Sequence, residues 1–158
     1  MIFKYTAVFA LGFLACLTLL FALPATNTEI PLGTGLTISS TSSPSDRLNE
    51  SDITLTQSRV CLDIPNATIS SYAATGSMGP FINENANGIR IVPQNESEIQ
   101  IGDIISFRRY GQLIVHRVTK IATDENGIYF ITRGDANLAT DGKVRFDEIE
   151  YVTIGVIW

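Results

Sequence analysis

The sequence predicts a mainly β domain tethered to one N-terminal transmembrane helix. Three observations carry this. Short runs of alternating apolar and polar residues recur along most of the chain. Gly, Asn, Asp and Pro punctuate them at regular spacing. An uncharged apolar stretch stands ahead of them all.

That stretch, residues 6–23, carries no charged residue. At about 1.5 Å per residue a helix of this length spans roughly 27 Å, near the thickness of a bilayer core. Lys4 and the amino terminus precede it, and the next basic residue is Arg47. The positive-inside rule then puts the N-terminus in the cytoplasm and the remainder outside. A cleaved signal peptide is the rival reading, but the run is long for one. Leu23-Pro24-Ala25 also matches an A-x-A cleavage site poorly. The expected organisation is therefore an anchor over 1–24, a Ser/Thr/Gly-rich tether over 25–42 and a β domain over 43–158.

Within the domain, Ser43-Pro44 with Asp46 reads as the start of a short helix, with a cap, a first-turn proline and an acid at the positive end. Strands are expected at 53–56, 59–64, 68–74, 89–92, 103–107, 112–121, 127–132 and 151–157. The turns Pro65-Asn66, Asn87-Gly88, Gly102-Asp103, Tyr110-Gly111, Asn126-Gly127 and Asp141-Gly142 separate them. Asn126-Gly127, between two alternating runs, is the strongest hairpin signal. Strands this short and this regular predict a sandwich or barrel.

Composition excludes several functions. Net charge is −5, and no basic cluster exists beyond Arg108-Arg109, so no nucleic-acid partner is expected. One histidine and one cysteine outside the apolar run cannot supply a zinc tetrad, so neither metal nor cofactor is expected. Cys16 lies in the apolar run and Cys61 is alone in the domain, so no internal disulfide is expected. Asn49, Asn66 and Asn95 each open an N-x-[ST] triplet, which suits an external domain.

The chemistry-bearing residues are Ser77, His116, Asp135 and Asp141. Each has an ordinary reading. His116 lies on an apolar strand and reads as a buried structural histidine. Ser77, Asp135 and Asp141 lie in turns, where such residues commonly bond their own backbone. Together they supply a nucleophile, a neutral imidazole able to take its proton and a carboxylate to fix the tautomer. The order Ser…His…Asp differs from the orders in the chymotrypsin, subtilisin and α/β-hydrolase folds.

Ser77-Met78-Gly79-Pro80, Gly102-Asp103-Ile104, Val115-His116-Arg117 and Gly134-Asp135-Ala136-Asn137 with Asp141 follow one another in the chain. In these motifs and their order the sequence resembles the type I signal peptidases of the archaeal and endoplasmic-reticulum branch. The resemblance runs from about Thr75 to the C-terminus. It implies a small signal-peptidase-like β domain and a membrane-anchored serine endopeptidase. It also implies removal of signal peptides from secretory precursors on the outer membrane face. By the same carry-over Ser77 is the nucleophile, His116 replaces the lysine base of the bacterial branch, Asp141 orients the base and Asp135 is a second acidic site. The stretch from Phe81 to Pro93 is an insertion relative to commoner members. The expected partners are signal-peptide-bearing precursors and the lipid bilayer. Lys120, two residues beyond Val118 on the same strand, is expected on the His116 face and is the rival base. A relative of self-cleaving repressors fits less well, since the chain carries an apolar anchor run and no DNA-binding part. The alternative from another class is a non-catalytic, membrane-tethered β domain that binds a surface or envelope partner.

Overall fold

The structure is a computed structural model that describes residues 41–158. The expected anchor, and all but the last two residues of the expected tether, lie outside the described residues. Among the described residues no helix is long and apolar enough to cross a membrane.

The fold is mainly β, as expected. The strands are β1 (Ile53–Leu55), β2 (Val60–Leu62), β3 (Thr68–Ser71), β4 (Asn87–Ile91), β5 (Ile104–Arg109), β6 (Gln112–Asp124), β7 (Gly127–Arg133), β8 (Lys143–Val144) and β9 (Ile149–Ile157). Strands β1 and β2 form a separate two-stranded hairpin. The other seven make one antiparallel sheet in the order β3-β4-β9-β5-β6-β7-β8. The expected Asn126-Gly127 hairpin joins β6 to β7, with Gly127 in the left-handed region at φ +98°. Tyr110 and Gly111, both at positive φ, form the two-residue turn between β5 and β6. This is the geometry whose twist matches paired strands. Strand β8 was not expected. It is two residues long and exists by pairing with Phe130 and Ile131.

Alternation along these strands sends apolar residues to both faces of the sheet. Ile105, Phe107, Val118, Phe130, Val144, Ile149 and Val152 bury one face, closed by Ile99. Ile104 faces the other way and is covered by Met78, Ile82 and Ala86. Those three come from the stretch around the expected insertion. It therefore packs as a lid on the second face, and its C-terminal part supplies β4.

The helix expected at Ser43 does not form. Residues 41–49 run without regular structure, and the first helical turn is a single 3₁₀ turn at Glu50–Asp52. A tertiary partner overrides the local capping signals. Ser45 donates its N–H and its hydroxyl to Asp103 Oδ1, at 2.7 and 2.6 Å. Arg47 donates to Asp103 Oδ2 at 2.8 Å and to the Glu98 carbonyl. Helical dihedrals here would withdraw these donors from a fully buried carboxylate. Gly102 sits at φ +103°, and a Cβ there would run into the Ser43 carbonyl, so only glycine lets the strap lie this close.

Candidate active site

Strand β6 is 13 residues long and changes neighbours halfway. Residues 112–117 pair with β5, and pairing with β7 begins at Arg117. The β7-side edge of residues 112–116 is therefore unpaired among the described residues. His116 is the last residue of this free edge.

His116 is buried, and the carboxylate expected to orient it is in place. Its Nδ1 lies 2.6 Å from Asp141 Oδ2. Thr132 Oγ1 donates to the same carboxylate oxygen at 2.8 Å. The Asp141 backbone is fixed on both sides. Its N–H donates to the Thr132 carbonyl at 2.9 Å, and its carbonyl accepts from the Arg109 guanidinium. An aspartate held at four points, two on its carboxylate and two on its backbone, has little freedom to turn away. A proton on Nδ1 donates to Asp141, which leaves Nε2 as the lone-pair nitrogen. Nε2 makes no hydrogen bond to the described residues.

Asp135 has a different partner. Arg117 grips it with two parallel bonds, Nε to Oδ1 at 2.8 Å and Nη2 to Oδ2 at 2.7 Å. The third arm of Arg117, Nη1, donates to the Gly102 carbonyl at 2.9 Å. Successive strand residues point to opposite faces, so Arg117 and His116 leave β6 in opposite directions. The loop between β7 and β8 thus clasps β6 with Asp135 on one face and Asp141 on the other.

Ser77 lies on the turn after β3, held from two directions. Its carbonyl accepts the Ala136 N–H at 2.9 Å, and the neighbouring Met78 side chain is buried in the second core cluster. The Ser77 hydroxyl lies 3.3 Å from Thr75 Oγ1, and no hydrogen bond joins it to His116. Both residues line one cleft of about 330 Å³. Tyr72 and residues 75–78 form one wall and residues 112–116 the other, with Ile82 and Asn137 at the margins. Of the sequence-expected residues, His116 and Asp141 are hydrogen-bonded, Ser77 shares the cleft with His116, and Asp135 adjoins Ala136, whose N–H bonds the Ser77 carbonyl.

Lys120 does not share the face of His116. A bulge at Thr119 breaks the register: Val118 opposes Thr132, yet Lys120 opposes Ile131. The extra residue reverses the alternation, so Lys120 falls on the opposite face. It is exposed and outside the cleft. Three contributors went unread in the sequence: Thr132, Arg109 and Arg117. A signal existed for Thr132, which alternation places on the Phe130 face opposite Val118.

Asp103, of the Gly-Asp motif, is not in the cleft. Burial alone would raise its carboxyl pKa. Hydrogen bonds from the Ser45 hydroxyl, the Gln100 and Ser45 N–H groups and Arg47 outweigh burial and hold it below the usual carboxylate value.

Comparison with family models, with characterised proteins and with solved structures returns no match to this chain.

Proposed function

We propose that this protein is a membrane-anchored serine endopeptidase that removes signal peptides from secreted precursors at the outer membrane face. The observation that carries the reading is the His116–Asp141 hydrogen bond of 2.6 Å, in a cleft whose opposite wall holds Ser77. Ser77 Oγ attacks the scissile carbonyl while His116 Nε2 takes its proton. Asp141 keeps the imidazole in the tautomer that presents Nε2 and stabilises the imidazolium. The proton passes to the leaving amine as the C–N bond breaks. Water, activated by the same imidazole, then releases the peptide acid from Ser77.

The free edge of β6 suits a peptide substrate. An extended chain laid between residues 112–116 and the turn at 75–78 gains backbone hydrogen bonds that ignore side-chain identity. The apolar walls around Tyr72, Met78 and Val115 leave room for small side chains beside the scissile bond. The Met78 N–H, without a partner among the described residues, serves as an oxyanion donor, joined by the Ser77 N–H when it exchanges its long 3.5 Å bond to Thr75 Oγ1 for the substrate oxygen. Ser77→Ala should abolish processing of a secretory precursor while leaving the thermal transition in place. Full processing by that folded variant refutes the assignment. A tethered binding domain is the second reading, favoured by the Ser77 hydroxyl resting on Thr75 rather than on His116. A serine-reactive probe separates the two: labelling at Ser77 that depends on His116 belongs to the enzyme alone.

A further inference from the structure

Alternation along β7 turns Ile128, Phe130 and Thr132 to one face of the sheet. Phe130 belongs to the main apolar cluster and Ile128 packs against it. Val118, opposite Thr132 on β6, belongs to it too. Shape and polarity alone would put valine at position 132, since it is β-branched, of matching size and free of polar groups. The chain has threonine there, and the residue is fully buried. A buried hydroxyl is costly unless it is bonded. Among the described residues this one donates to Asp141 Oδ2, at 2.8 Å. The Thr132 carbonyl also accepts the Asp141 N–H at 2.9 Å, so one residue of β7 holds the aspartate by its backbone and by its carboxylate.

We propose that Thr132 is a positioning residue: its hydroxyl sets the Asp141 carboxylate and, through it, the His116 tautomer that leaves Nε2 free. The inference rests on the His116–Asp141 pair of the proposed function and not on the substrate. The Arg109 guanidinium and the Thr132 carbonyl bind backbone atoms of Asp141, which leaves its side chain free to rotate. The imidazole cannot supply the missing restraint, because it is the group to be oriented. The Thr132 hydroxyl meets Nδ1 on the same oxygen, Oδ2, and is the carboxylate's other bond among the described residues. Branching at Cβ restricts the threonine side chain, so the donor is set independently of the imidazole. The task is a real one. A free histidine side chain in water favours the proton on Nε2, and that form cannot accept a proton there from Ser77. Thr132 does not line the cleft, so its effect falls on turnover and not on substrate binding.

His116 is the only histidine in the chain, so its ring nitrogens give a single set of signals. Nitrogen NMR of the full chain in detergent micelles, with isotope-labelled histidine and in solution alkaline enough to keep the imidazole neutral, reads the ratio of Nδ1–H to Nε2–H. Thr132→Val keeps the shape and removes the donor. Thr132→Ser keeps the donor and removes a methyl group. Thr153→Val is the control, a buried strand threonine whose hydroxyl has no partner among the described residues. The parent, Thr132→Ser and Thr153→Val should hold the proton on Nδ1. In Thr132→Val the ratio should fall about tenfold, as loss of a hydrogen bond to a charged group implies. Precursor processing should follow the same order, with kcat of Thr132→Val lower by roughly 10- to 100-fold and KM unchanged. A packing role reverses the order, since serine fills the site less well than valine. That reversed order, or a parental ratio in folded Thr132→Val, overturns the proposal. Equal losses in Thr132→Ser and Thr132→Val also overturn it, because the donor then does not matter. If Thr132→Val does not fold, Thr132→Ser decides: it keeps the proton on Nδ1 despite the lost methyl, or the proposal fails. A ratio that depends on Thr132, in a parent that processes no precursor, refutes the peptidase and leaves the positioning role standing.

Discussion

His116 and Arg117 are neighbours on β6, and each holds an aspartate from the same loop, yet the two pairs differ in kind. Arg117 is saturated: its fork closes on Asp135 and its remaining arm on the Gly102 carbonyl. His116 is half-used, with Nδ1 bound to Asp141 and Nε2 unbonded among the described residues. A buried cation with all three nitrogens engaged holds structure in place. A buried imidazole beside a cleft, with one nitrogen fixed and the other unbonded, keeps a lone pair able to take a proton. Strand alternation produces the difference by sending the adjacent residues to opposite faces.

The largest expected effect lies on the His116 side. Under the proposed mechanism Asp141→Asn keeps the shape and can still accept from Thr132, but it no longer favours the productive tautomer. Turnover should fall on the order of 10⁴-fold, as carboxylate loss does in Ser-His-Asp sites on other folds. The denaturation midpoint should move little. A fully active Asp141→Asn would remove the orienting role and leave the 2.6 Å bond as a structural contact.

The Arg117 side should respond in stability first. Asp135→Ala leaves a buried guanidinium unpaired and should cost about 3–5 kcal/mol in denaturant unfolding. The double variant Arg117→Met with Asp135→Leu should recover much of that loss, because no lone charge remains. Its turnover reads the link from Ala136 to the Ser77 carbonyl. Turnover that returns with stability marks the pair as scaffold alone. Stability without turnover shows that the pair sets the position of Ser77.

Asp103 is a third saturated carboxylate and extends the comparison to pH. Its folded pKa lies below the ordinary value near 3.9, so unfolding takes up a proton in acid. Its contribution to stability is complete above the unfolded pKa. It is lost as pH falls from about 4 through the lower folded value. Asp124 shifts the same way, under the hydrogen bonds of Arg145 and Lys143, and so does Asp52, through the Asn49 N–H. The informative quantity is therefore the difference between the parent and Asp103→Asn. That difference should be largest near neutrality and shrink in acid. A pH-independent difference would show that the strap from Ser45 to Arg47 is held by something other than the charge.

Much of this was legible in the sequence, and what was not has identifiable causes. The β class and the hairpin at Asn126-Gly127 follow from alternation and turn chemistry, and motif order singled out the His116–Asp141 pair and the serine that shares its cleft. The strap from Ser43 reads as a helix start in sequence because its partner, Asp103, lies far along the chain and local capping signals cannot register it. Arg109 was missed for the same reason: it reaches the Asp141 carbonyl from the far end of β5. The face of Lys120 was misjudged because a bulge leaves no local mark. Thr119 is an ordinary strand residue, and only the pairing of β6 with β7 reveals the extra position.

That bulge supports the smallest expected effect, which also decides the identity of the base. An unbroken strand would put Lys120 beside His116 and make a serine–lysine mechanism geometrically open. The observed register puts Lys120 on the other face, exposed and away from the cleft. Lys120→Ala should then leave precursor processing near normal and change stability by no more than about 0.5 kcal/mol. His116→Ala should be inactive at every pH, because no second base lines the cleft among the described residues. Measuring both variants across pH, with Ser77→Ala as the blank, gives the comparison its sharpest form. An inactive Lys120→Ala beside an active His116→Ala would transfer the proton to lysine and reduce His116–Asp141 to scaffold, like its neighbour.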